Sequence, residues 1–337
     1  MRIDAYRKGK PVYFAETCKA LTSWKRDEET AGLSEVSNVP LQQALRHLKK
    51  AYTAFFRGVA KFPSFKKKAH VQTARYMSNA YTLKDDIQRP TVKLAKMETP
   101  LKIRWSRPLS GKVISLTVSK DAAGRYFISF QCERQVEPEP QKTNAVGLDL
   151  GLTHLQITSD GPKHGNPKFF SKLETKLARE QRRLSRKVKG SQNWHKQRVK
   201  VARIHARIAD ARRDFLHKLT TNLVRRYGVI CTETLRVKNM LKNRSLSKAI
   251  SDAGWSELIQ QLTYKSEWYS RTMVKIDQWT PSSKMCNTCG QFMATLPLNI
   301  RSWVCPKCET KHDRDVIPIQ FSNVVALENG ECSTTMR

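Results

Sequence analysis

The sequence predicts an α/β chain of two or three domains with a separate cysteine module near its carboxyl end. Three observations carry that prediction. Apolar residues recur at helical spacing in some stretches and alternate with polar ones in others. Two short apolar runs, residues 145–152 and 229–233, each carry an acid where a buried strand would not need one. Finally, Cys286, Cys289, Cys305 and Cys308 form two tight pairs, while Cys18, Cys132, Cys231 and Cys332 are scattered. That pattern is metal arithmetic rather than a disulfide framework, and it fits a reducing compartment.

Charge narrows the partners. There are 62 Lys and Arg against 29 Asp and Glu, a formal charge of +33 over 337 residues. A chain this basic gathers polyanions, because neutralising phosphates releases counterions, and such binding weakens steeply with salt. Nucleic acid is the expected partner. An anionic membrane surface is the rival, but no run of about 18 apolar residues and no signal-peptide pattern is present, so a soluble intracellular protein is expected. A hydrophobic content of 39% can build real cores, which excludes disorder throughout.

Along the chain, Leu41, Leu45, Leu48, Tyr52 and Phe55 predict an amphipathic helix from about Pro40, capped by Ser37 or Asn38 and stopped by Gly58. In Lys61-Phe62-Pro63-Ser64-Phe65-Lys66-Lys67-Lys68, aromatics interleave with cations. Two readings stand: phosphate contact with base or sugar stacking, or a solvated basic loop whose two Phe anchor in a core. From about Thr91 to Glu133 the period becomes two. Ile114, Leu116 and Val118, a turn at Asp121–Gly124, then Tyr126, Ile128, Phe130 and Cys132 predict a β-hairpin within a small barrel or sheet. Two prolines in residues 136–141 then mark a linker and a domain boundary.

Residues 145–152 predict a buried strand carrying Asp149. Between Ser171 and Thr220 the sequence is helical, broken at Gly190-Ser191, with 16 Lys and Arg against 4 Asp and Glu. Val201, Ile204, Ile208, Ala211, Phe215 and Leu219 form its apolar stripe. Arg198, Arg203, Arg207 and Arg213 are then available for an outer surface. A merely solvated face would mix signs through i,i+4 pairs, so this excess of one sign points to nucleic acid. A second strand, Val229–Glu233, again ends in an acid. Trp255, Leu258, Leu262 and Tyr269 predict a helix, and Met273–Ile276 a strand.

Two constellations carry chemistry. Cys286-x2-Cys289 and Cys305-x2-Cys308 supply two knuckles, enough to close a tetrahedral zinc site that is structural because no position stays open. His312 could replace one thiolate, but four already fill such a site. The second constellation is Asp149, Glu233 and Asp315. Acids at strand ends can converge to hold two divalent cations, the arrangement that cleaves phosphodiesters. Singly each reads as a surface acid or a cap; together, in so basic a chain, they read as ligands.

Gly147-Leu148-Asp149-Leu150-Gly151 resembles the first RuvC motif of the TnpB family, transposon-encoded nucleases related to compact type V CRISPR effectors. Residues 232–240, Thr-Glu-Thr-Leu-Arg-Val-Lys-Asn-Met, look like its second motif. Residues 281–286, with Cys305-Pro306-Lys307-Cys308 and His312-Asp313-Arg314-Asp315, look like its zinc finger and third motif. Residues 42–58 and 61–68 resemble the end of its recognition helices.

The resemblance implies a helical recognition segment (1–60), a β-rich wedge domain (61–135) and a linker (136–143). An RNase H-like RuvC domain (144–283) follows, then the zinc finger (284–311) and the end of the RuvC-like domain (312–337). It implies Asp149, Glu233 and Asp315 as ligands of two Mg²⁺ or Mn²⁺, and one structural Zn²⁺ on the cysteines. Lys61, Phe62, Phe65, Lys66, Lys67 and Lys68, with the four arginines, are expected to touch nucleic acid. The implied activity is RNA-guided cleavage of double-stranded DNA in a prokaryotic cytoplasm, nucleoid-associated when bound to DNA, with base pairing supplying specificity. Two features depart from the family. Members usually begin with a strand and a helix ahead of the region that starts here at Met1, so a partial wedge barrel is expected. Their last acid is followed two residues on by Asn, where this chain reads Asp315-Val316-Ile317-Pro318. The alternative is therefore a guided DNA-binding protein with little or no cleavage. A basic zinc-ribbon protein of ribosome or transcription type explains the charge and cysteines, but not three acids in this order.

Overall fold

Apolar spacing in the first 135 residues builds helices and then strands. The computed structural model describes residues 2–10, 12–66, 71–135, 139–276, 284–286, 288–297, 300 and 302–313. Two compact units divide the chain, Met1–Gln135 and Val136–Arg337. The first holds α1 (Arg2–Arg7), α2 (Phe14–Trp24) and, after a 3-10 turn at Glu28–Ser34, α3 (Asn38–Phe56). Five strands follow, β1 (Gln72–Met77), β2 (Tyr81–Lys84), β3 (Thr91–Leu94), β4 (Lys112–Lys120) and β5 (Tyr126–Glu133).

Antiparallel β1, β4 and β5 make one sheet, in that order, and β2 and β3 a separate ribbon. Leu116 pairs with Phe130 and Val118 with Ile128, as their alternation demands. The register slips between Val113 and Ser115, so the alternation predicted through Ile114 breaks there. Ser115 is buried, and its hydroxyl meets Gln131 at 3.0 Å and the Arg75 guanidinium at 3.1 Å. Val92, Leu94 and Leu116 form the buried core of this unit's strands.

In the second unit β6 (Ala145–Asp149), β7 (His154–Thr158) and β8 (Lys163–Gly165) run antiparallel in succession. Then come α4 (Phe169–Ser185), α5 (Gln192–Arg226) and β9 (Val229–Glu233), which returns parallel to β6. After α6 (Val237–Met240), α7 (Ser247–Ala253) and α8 (Trp255–Trp268), β10 (Thr272–Ile276) adds parallel to β9. The sheet order is β10-β9-β6-β7-β8. A small ribbon of β11 (Ser302–Val304) and β12 (Lys311–Asp313) closes the described part.

One core joins these elements. Val146, Leu148 and Ile230 of the sheet pack with Leu216, Leu219 and Leu223 of α5 and Leu258 and Leu262 of α8. Ile204 and Ile208, from the outer half of α5, pack instead on Leu177 of α4. Two polar ties fix the frame. The buried Asp252 carboxylate accepts from the amides of Phe170 and Ser171, capping α4 from α7. The Arg271 guanidinium, with no side-chain exposure, reaches the carbonyls of Val224 and Pro140 and the Glu139 carboxylate. Among the described residues, no helix is long and apolar enough to cross a membrane.

Candidate metal centres and nucleic-acid surfaces

The four paired cysteines converge. Cys286 Sγ lies 3.5 Å from Cys308 Sγ, and Cys289 Sγ lies 3.5 Å from Cys305 Sγ. All four sulfurs fall within 4.8 Å of one another. A tetrahedral zinc with Zn–S of about 2.3 Å needs sulfur–sulfur edges of about 3.8 Å, so this donor set fits the ion.

The two knuckles share one backbone pattern. The Cys286 amide donates to the Gln291 carbonyl and the Gly290 amide to the Cys286 carbonyl. Equivalent bonds run from the Cys305 amide to Thr310 and from the Glu309 amide to Cys305. Gly290 (φ 70) and Glu309 (φ 56) both occupy the left-handed region that closes the turn. Buried Leu296 and Trp303 pack on the cysteines.

His312 stands behind the cluster rather than in it. Its Nε2 is 3.1 Å from Cys286 Sγ and its ring lies 4.5 Å from that of Trp303. Burial pushes its imidazole pKa down, so the neutral ring can donate to a thiolate and orient it. The Thr310 hydroxyl, 3.2 Å from Cys308 Sγ, and the Thr310 amide hold the Cys308 thiol down at about 6. The Thr310 contact is local to the second knuckle, whereas the His312 contact follows from β12 folding back onto Cys286 of the first, which cysteine spacing does not show.

The acids sit at the carboxyl ends of neighbouring parallel strands. Leu148 of β6 pairs with Thr232 of β9, and Asp149 and Glu233 are the next residues of each. Strands so paired lie about 4.8 Å apart, so two residues 84 positions apart in sequence become neighbours. Asp149 also registers with Ile157 of β7, and Glu233 with Ile276 of β10. Both are half-buried. Beyond Glu233 opens a groove of about 460 Å³, lined by Arg236, Lys238, Asn239, Ser256 and Lys275 among others. Asp315 lies outside the described residues. Asp313, two positions before it, is engaged elsewhere, with its carboxylate 3.0 Å from Lys163 Nζ of β8.

The expected nucleic-acid contacts are of mixed character. Phe62 packs edge-on against Tyr52 and Phe55, with centroids at 5.7 and 5.2 Å, so it anchors to α3. Phe65 is 88% exposed, and Lys61 and Lys66 are exposed beside it. Lys67 and Lys68 lie outside the described residues. Arg203 and Arg207 are exposed on α5, while Arg198 is half-buried. The guanidinium of Arg213 lies 3.7 Å from Glu257 of α8, an ion pair that helical spacing within one segment could not reveal.

Such a sheet, with two acids on adjacent strand ends and a four-cysteine ribbon after it, makes this an α/β protein with two candidate metal centres. The family described as "Probable transposase" (OrfB of IS605) matches residues 129–244, and the "Cas12f1-like, TNB domain" family matches residues 255–317. A Streptomyces pristinaespiralis protein named "Putative RNA-guided DNA endonuclease" is 49% identical over 335 residues, covering 98% of this chain and 82% of its own. Escherichia coli K12 "Putative RNA-guided DNA endonuclease InsQ" is 36% identical over 297 residues, covering 83% of this chain and 72% of its own. A solved Cas12f1–sgRNA–target DNA complex aligns over 95% of this chain and 88% of its own, at 12% identity and a TM-score of 0.39, too low to establish a shared arrangement. The chain belongs to the TnpB family of IS605-type elements.

Proposed function

We propose that this protein is the RNA-guided DNA endonuclease of a transposable element, with Asp149, Glu233 and Asp315 as the ligands of two Mg²⁺ or Mn²⁺ ions. The observation that carries the reading is the juxtaposition of Asp149 and Glu233 one register step beyond Leu148 and Thr232. The strand order supports an RNase H-like, RuvC-type domain. Numbered along the chain it is 3-2-1-4-5, with the first three strands antiparallel and the last two parallel to the first. Relatives named as RNA-guided DNA endonucleases support the substrate. The strands and helices of residues 1–135 act as recognition segment and wedge, and the cysteine ribbon carries one structural zinc.

Bound divalent metal would supply an activated water and neutralise the leaving oxygen. The chain's own part is to hold two carboxylates on rigid strand ends, where hydrogen-bonded backbone fixes their spacing. Its remaining task is to grip two polyanions, for which exposed Arg203, Arg207, Lys61 and Lys66 are suited. Sequence specificity then comes from base pairing with the guide.

The test compares wild type with Asp149→Ala on a guide-matched duplex with Mg²⁺. Cleavage should fall by at least about 100-fold, as expected when a two-metal site loses a ligand, with copurified guide RNA unchanged. Undetectable cleavage by both proteins with guided binding retained would replace the nuclease by a guided DNA-binding protein.

A further inference from the structure

A second site lies in the first unit, in the connection between β3 and β4. Residues 103–110 wall a groove of about 450 Å³ together with Ile128, Ser129, Phe130 and Cys132 of β5. No acid lines it. Arg104 and Arg107 are exposed, and neither pairs with a carboxylate among the described residues. Trp105 is half-buried, and one ring face stacks on Phe130 at 5.3 Å and 17°. Trp105 also packs at the margin of the Val92–Leu94–Leu116 core, but that packing does not account for two exposed arginines and several serine hydroxyls beside its half-buried ring.

The connection is also held in place. The Leu101 amide bonds the Val92 carbonyl, and the Leu109 amide bonds Gln88 at 2.7 Å. At its end Gly111 has φ 84, and a Cβ there would lie 2.1 Å from the Glu133 carbonyl oxygen. Only glycine lets the chain turn so close to β5. A pinned loop pays little ordering entropy when a ligand arrives, which distinguishes a prepared site from a mobile basic surface.

We propose that this groove takes an unpaired nucleotide, its base on Trp105 and its flanking phosphates on Arg104 and Arg107. Aromatic stacking accepts any base because every base has a π-face, while arginines grip the backbone without reading sequence. The charge of the groove fits nucleic acid, and its size fits one nucleotide rather than a duplex. The proposal rests on the reading above only in taking nucleic acid as partner, and it needs no cleavage.

Cys132 on the groove wall is a free, half-buried thiol and reports occupancy directly. The experiment alkylates the full chain with iodoacetamide with and without a short oligouridylate or its deoxythymidine counterpart, measuring Cys132 modification by peptide mass spectrometry and total binding by anisotropy. Cys132 should be protected at saturating oligonucleotide. Protection should require about tenfold more oligonucleotide in Trp105→Leu and in Arg104→Gln/Arg107→Gln, the scale of one lost stack or two lost phosphate contacts. The doubly substituted surface variant guards against misfolding. Protection by RNA alone assigns the groove to the guide, and protection by DNA alone assigns it to the target. Binding by anisotropy with Cys132 unprotected overturns this site but not nucleic-acid binding; no binding by either measure overturns both.

Discussion

The cysteine ribbon and the carboxylate pair are both candidate metal centres, yet they are built in opposite ways. Four cysteines within residues 286–308 bring their own knuckles, and the hydrogen bonds that shape each knuckle close within six residues. Asp149 and Glu233 meet only because α4 and α5 carry the chain away and β9 returns parallel to β6. A local site is a property of its segment, whereas the carboxylate site is a property of the sheet's topology. Damage should therefore spread differently from the two.

The largest effect is expected at the ribbon. Cys305→Ser removes a fully buried thiol of the cluster, and elemental analysis should then find well under the one zinc per chain expected of the wild type. Ordered amides in residues 284–313 should then lose hydrogen-exchange protection, while those of β6, β9 and α8 keep theirs. Loss of protection across the sheet as well would break the contrast, making the ribbon part of one cooperative unit.

This difference in construction also governs what the sequence could reveal. Paired cysteines needed only spacing, and the apolar stripe Ile204, Ile208 and Leu219 and the alternation of β5 needed only period. The helix expected from Pro40 is α3, and the break at Gly190-Ser191 is the turn between α4 and α5. Strand β7 is hard to read because His154-Leu155-Gln156-Ile157-Thr158 offers only two apolar residues, and its alternation does not follow burial. Four of its five residues are buried, including fully enclosed Gln156. Helices α1 and α2 were missed because buried Thr17 interrupts the apolar stripe of α2 and α1 spans little more than a turn and a half. Strand order, the Arg213–Glu257 pair and the groove at Trp105 depend on partners distant in sequence, which no window of residues contains.

A smaller effect sharpens the boundary between the two centres. Asp313 precedes Asp315 by two residues, but its pairing with Lys163 ties the ribbon to β8. Both side chains are partly exposed, so the pair is worth about 0–1 kcal/mol. Asp313→Ala should leave cleavage within about twofold of wild type, and Asp315→Ala should abolish it. Side-by-side rates on one guide-matched duplex check this. The reverse result would move the third ligand to Asp313.

The smallest effect compares the knuckles with each other. Gly290 and Glu309 occupy equivalent left-handed positions, but only one is glycine. A side chain there costs about 1–2 kcal/mol from the clash of Cβ with its own backbone. Glycine recovers that cost and returns about 0.5–1 kcal/mol through the freedom it gives the unfolded chain. Glu309 is exposed, so Glu309→Gly discards no buried contact. The balance is a gain of about 0.5 kcal/mol for Glu309→Gly, whereas Gly290→Ala, which leaves its Cβ in open space but in the same strained region, should lose about as much. Competition against a zinc chelator reads both, with metal release about twofold harder in the first and about twofold easier in the second. Equal changes of one sign would mean that the two knuckles, despite matching hydrogen bonds, do not carry matching strain.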